Sequence, residues 1–166
     1  MATNNSEVIS VLNDLIETCK DGAKGFRTAA DAVKGMEAKT VLEGRIPIIE
    51  RSATELQAQV RRLGGDPEKS GSVAASVHRG WIDVKSAVTG RDDNAIITEC
   101  ERGEDFAVKS YEEALRKDLP SDVRGVVERQ YQGTLLNRDK VRALKTASTS
   151  TRSSTRTPDR EASPPA

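Results

Sequence analysis

The sequence predicts an all-α protein, a single four-helix bundle, and three observations carry that reading. Apolar residues recur at alternating steps of 4 and 3 over four long stretches, the spacing that keeps a stripe on one face of an α-helix. Two of the connections between these stretches are only a few residues long, and one is long. Most of the chain between the stripes is charged or polar, as the solvent faces of bundle helices are.

The first helix is expected over residues 6–34. Val8, Leu12, Leu15, Cys19, Gly22, Phe26, Ala29 and Val33 form its stripe, and Asn4 followed by Glu7 resembles a cap. The second is expected over 37–63, with Leu42, Ile46, Ile49, Ala53, Leu56, Val60 and Leu63 inward. Gly64, Gly65 and Pro67 end it. Pro47 lies inside it and should kink it or loosen its first turns. The third covers 93–117, capped by Asp92 or Asp93, with Ile97, Cys100, Glu104, Ala107, Val108, Tyr111, Ala114 and Leu115 on its face. The fourth covers 120–145, with Pro120 at its first position.

Short connections make the first and second helices antiparallel neighbours, and likewise the third and fourth. Residues 66–91 form a long crossover between the pairs, with a short helix expected over 73–88. A helix of about 25 residues is ~37 Å long, a distance this crossover can span. Two up-down pairs joined by one long crossover is the ferritin-like arrangement. His78 and Trp81 are read as the crossover's anchor, with Val77 and Val84 beside them. The domain is thus 1–146, and 147–166 is a tail rich in Ser, Thr, Arg and Pro that cannot bury a core and is expected to be disordered.

Composition narrows the function. Lys plus Arg and Asp plus Glu each total 26 of 166 residues, so the formal charge is zero and no electrostatic case exists for nucleic acid. No run approaches the ~18 apolar residues of a membrane span. Residues 1–10 lack a basic region followed by an apolar one, so no secretory signal is expected and the cytoplasm is the default location. Two cysteines without CxxC spacing make neither a disulfide scaffold nor a standard metal motif. No phosphate loop of the GxxxxGK[ST] type occurs.

The informative feature is a polar break in the fourth stripe. Val123, Val127, Gln130, Thr134, Asn137, Val141 and Leu144 step 4, 3, 4, 3, 4, 3, and the middle three are polar. A mid-core polar layer is where bundles build ligand and metal sites. A di-metal carboxylate centre takes a Glu from each of two helices and Glu-x-x-His from each of the other two. This chain has one histidine, His78, in the crossover, so two inward histidines are impossible. Thr134-Leu135-Leu136-Asn137 stands in a register where Glu-x-x-His could stand, with neither ligand present. Glu104 points inward, Glu50 flanks the second stripe, and Cys19 and Cys100 lie near mid-bundle. The layer reads as a register-fixing network of Glu104 with Gln130 or Asn137. The alternative is a small-ligand or metal site, iron or manganese, built on Glu50, Glu104, Gln130, Thr134 and Asn137.

Several ordered strings resemble a known family. Leu12-Asn13-Asp14-Leu15-Ile16-Glu17-Thr18-Cys19-Lys20-Asp21-Gly22, then Gly25-Phe26, is similar to the opening of the bacterial domain-of-unknown-function family 2383. Glu55-Leu56-Gln57, Arg62-Leu63-Gly64-Gly65, His78-Arg79-Gly80-Trp81, Glu99-Cys100-Glu101-Arg102-Gly103-Glu104-Asp105 and Tyr111-Glu112-Glu113-Ala114-Leu115 continue the likeness. The resemblance implies a ferritin-like bundle and supplies no activity. Members often carry His where this chain has Asn137. The function expected is a non-catalytic module that self-associates or binds a protein partner, without a cofactor. By analogy with ferritin-like proteins it is linked to a stress response.

Overall fold

The computed structural model describes residues 4–69 and 92–154. These form four α-helices: α1 (Asn5–Ala32), α2 (Met36–Arg62), α3 (Asp93–Leu115) and α4 (Ser121–Ser154). The crossover anchor, His78 with Trp81, and residues 155–166 of the expected tail lie outside the described residues.

Each helix begins and ends for a local reason. The Asn4 side chain accepts from the Ser6 amide at 3.2 Å and caps α1. Asp92 caps α3 by accepting from the Asn94 amide at 3.0 Å. That leaves Asp93 free to reach sideways, where its carboxylate accepts from the amides of Lys34 at 2.9 Å and Gly35 at 2.8 Å. The carboxylate thereby supplies the negative charge that the start of α2 favours, and α2 has no side-chain cap of its own. At the other end of α2, Gly64 takes φ +84°. Its amide donates to Arg61 O at 3.0 Å, and the Gly65 amide to Val60 O at 2.9 Å, the paired bonds of a Schellman stop. Arg124 on α4 donates to the carbonyls of Leu115 and Lys117 at 3.0 and 2.7 Å, which satisfies the open end of α3.

The helices form a ring: α1 touches α2 and α3, α3 touches α4, and α4 closes against α2. The Asp93 clasp joins the start of α3 to the end of α1 and the start of α2. So α2 and α3 run parallel, and the connection between them starts and finishes at opposite ends of the bundle. This is the ferritin-like topology.

The core follows the stripes, except that Leu63, Ala107 and Leu115 are only half-buried and α2 and α4 depart from expectation in the ways that follow. All eight expected positions of α1 and all seven of α4 are buried. On α2 the buried residue after Leu42 is Arg45, 6% exposed, while Ile46 is only half-buried. Leu42, Arg45 and Ile49 step 3 and 4, so the periodicity passes through the arginine, and it was the apolar character of Ile46 that pulled the expected stripe aside. Pro47 is exposed and α2 continues across it, because the carbonyl its missing N–H frees faces the solvent side. Finally, α4 does not stop near Lys145 but continues to Ser154, so the first residues of the expected disordered tail are helical. No glycine or proline interrupts the sequence between Gly133 and Pro158.

Candidate functional site

The mid-bundle layer contains two linked hydrogen-bond networks. The first is built on Glu104 of α3, 2% exposed. Arg45 reaches it from α2, across the diagonal of the ring: Nε donates to Oε1 at 2.8 Å and Nη2 to Oε2 at 3.4 Å. Asn137 of α4 donates to the same Oε1 at 2.6 Å. Nη2 of Arg45 also donates to the Thr134 hydroxyl at 3.4 Å, and that hydroxyl donates to Gln130 O at 2.9 Å. Both carboxylate oxygens and the hydroxyl are therefore engaged, and the buried negative charge meets one buried positive charge.

The second network runs from α1 to the surface of α2. The Tyr111 hydroxyl donates to Gln130 Oε1 at 2.9 Å. Its one proton is thus committed, so the Cys19 thiol, with Sγ 3.6 Å from that hydroxyl, is the donor of the pair. The Gln130 amide nitrogen donates to Glu55 at 3.0 Å and to Ser52 O at 3.3 Å, two acceptors that fix the orientation of the amide. Glu55 is also paired with Arg129. Burial pushes the Cys19 thiol up to about 11, with the Tyr111 bond opposing it, and pushes the Tyr111 phenol well above its ordinary value. Cys100 is fully buried, and burial followed by the charges of Glu104 and Glu99 raises its thiol too. Both cysteines are free thiols.

A small pocket lies beside them, with Cys19, Gly22, Arg45, Glu104, Tyr111 and Thr134 in its wall. The space open to a water's centre is about 20 Å³, room for a single water.

Four of the five residues singled out in the sequence are buried in this layer: Glu104, Gln130, Thr134 and Asn137. Glu50 is not. Its side chain is 53% exposed and paired with Arg27 on the outer side of α1 and α2. Its position beside Ile49 gave it a flank, and the flank faces solvent. Two members of the layer, Arg45 and Tyr111, were not singled out for it. A charge at a stripe position of α2 was the available signal for Arg45. Tyr111 was legible only as core.

The donor set does not fit the di-metal centre of ferritin-like proteins. Among the described residues no group of three or more His, Cys, Asp or Glu side chains is placed to hold a metal ion. Glu104 is the only buried carboxylate among them, and a guanidinium occupies its cation-facing side.

The model of the family described as "Domain of unknown function (DUF2383)" matches residues 7–117. No curated protein matches the sequence. Among solved structures, one similar chain is a two-domain protein from Anabaena variabilis ATCC 29413 containing DJ-1/ThiJ/PfpI-like and ferritin-like domains. Its TM-score is 0.72 at 12% identity, covering 99% of this chain and 42% of that one. At that identity the likeness concerns the fold, and this chain spans less than half of that protein's length. No described helix is long and apolar enough to cross a membrane.

Proposed function

This chain belongs to the DUF2383 family, and from the geometry of its mid-bundle layer we propose that it is a non-catalytic helical module that associates with a second copy of itself. The observation that carries the first half is the closure of the layer. Catalysis needs a base, an acid or a nucleophile left available to a substrate. Here both oxygens of Glu104 accept bonds from Arg45 and Asn137. The Cys19 thiol and the Tyr111 phenol are held in their neutral forms by burial. The polar groups are spent on one another, which suits a layer that fixes which helix faces which.

The second half rests on the outer face of α2 and α4. Ile48 and Leu136 are 48% and 65% exposed. The Arg45–Thr134 and Gln130–Ser52 bonds make α2 and α4 antiparallel and place these two side chains within about one helical turn in height. An antiparallel pair carries its own approximate two-fold, so a second copy can lay its Leu136 on Ile48 and its Ile48 on Leu136.

Light scattering on the full chain across a concentration series tests this. The expected result is a dimer or larger species that Ile48→Glu with Leu136→Glu converts to monomer at unchanged helical content. A strict monomer at every concentration contradicts it.

A further inference from the structure

Resting on the self-association proposed above, we infer that the second copy seats with the two-fold axis parallel to the helices, so that its α2 lies on α4 and its α4 on α2. A ladder of residue pairs runs along the outer seam of these two helices. Arg62 pairs with Asp122, and Glu55 with Arg129. From the first rung to the second, α2 steps back seven residues and α4 steps forward seven, about two helical turns on each. The next such step brings Ile48 level with Leu136, the two exposed apolar side chains of this face. One step more brings the half-buried Val41 level with the exposed Ala143. On α4 each of these residues directly precedes a core position, which turns it about 100° from the core and onto the outer lip of the seam. Two charged rungs thus lie toward the end of α2 and two apolar rungs toward its start. At every level the two helices carry complements: plus opposite minus, or apolar opposite apolar.

A symmetric pair can lay this face on itself in two ways. With the axis parallel to the helices, both copies run the same way and each level meets itself reversed. The second copy's Arg62 then falls on Asp122, its Glu55 on Arg129 and its Ile48 on Leu136, and the reverse of each. With the axis across the helices, Ile48 falls on Ile48 and Leu136 on Leu136. Glu55 of one copy then faces Val41 of the other, and Arg129 faces Ala143, so charges meet apolar surface. Arg62, Asp122 and Arg129 are each more than half exposed, so their pairs within the chain leave room for a second partner. Exposed charges add little affinity by themselves. They select orientation, because an unmatched charge penalises the wrong seating. Ile48 and Leu136 bury apolar surface in both seatings, and the charged rungs therefore choose between them. In the favoured one, the C-terminal ends of both α4 helices leave the dimer at the same end.

Cysteine crosslinking of the full chain tests this seating. Cys19 and Cys100 are buried, so a short bis-maleimide reads the introduced thiols. In an equal mixture of Ile48→Cys and Leu136→Cys chains it should join one variant to the other. Ile48→Cys chains alone should give roughly tenfold less crosslinked dimer, because like positions then sit diagonally across the four-helix layer. A charge swap gives a second readout. Glu55→Arg with Arg129→Glu keeps opposite charges on that rung, within a chain and between like copies, and sets like against like when it meets the unaltered chain. Each protein should dimerise with itself, and the mixed dimer should fall roughly tenfold below its statistical share. Efficient crosslinking of Ile48→Cys to itself, or mixing at the statistical share, overturns the seating and leaves self-association intact. A strict monomer at every concentration contradicts self-association, and the seating with it.

Discussion

Arg45 of α2 and Glu104 of α3 form a two-bond ion pair across the diagonal of the bundle, with side chains 6% and 2% exposed. Diagonal helices are the pair whose backbones do not meet, so this contact ties together what the ring of neighbours leaves apart. Removing one partner strands the other as a buried charge. Arg45→Ala or Glu104→Ala alone should each cost about 3–5 kcal/mol, while Arg45→Met combined with Glu104→Met should be near neutral or stabilising. Urea denaturation of the three variants measures this, and single and double variants of equal stability would show that the pair is not coupled.

Tyr111→Phe removes the donor to Gln130 Oε1 and the acceptor of the Cys19 thiol. Gln130 is buried, so the loss should be about 1–3 kcal/mol in chemical denaturation. A change within ~0.5 kcal/mol would mean that another donor reaches Gln130.

Stability should fall at alkaline pH. Burial raises the Cys19 thiol from its ordinary 9.0 to about 11 in the folded protein. A folded-state value above the unfolded one gives stability that is complete below pH 9.0 and is lost as pH climbs toward about 11. Two pKa units correspond to a loss on the order of 2–3 kcal/mol. Thermal melts between pH 8 and 11 should steepen in this way for the unaltered chain. The fall should be smaller in Cys19→Ala, where the raised Cys100 thiol and Tyr111 phenol still carry part of it.

Gly64 ends α2 at φ +84°, with open space where a Cβ would stand. Gly64→Ala should therefore cost about 1 kcal/mol through backbone strain alone. At Gly65 a Cβ would come within 2.8 Å of Ile9, so Gly65→Ala should cost more by forcing α1 to shift. Equal costs in denaturation would separate the α2 stop from the α1 contact.

The stripes of α1 and α4 were legible because every position they name is buried, polar members included, although α1 also buries residues beside its stripe such as Asn13, Ile16 and Ala30. The stripe of α2 was legible except where a charge sat in register: Arg45 satisfies the spacing, and only its partner Glu104, on another helix, makes its burial affordable. Glu50 shows the opposite limit. One residue of helical rotation separates flank from surface, and periodicity does not resolve that angle. The C-terminal run of Ser and Thr was read by composition alone, while α4 carries it as helix to Ser154.

The reading of the layer as closed on itself turns on whether Glu104 is committed to Arg45 or available to a metal. Metal analysis of the protein purified without chelator tests that most directly. The account predicts iron and manganese well below one equivalent per chain, unchanged by Glu104→Ala. Stoichiometric iron or manganese that disappears in Glu104→Ala would contradict it.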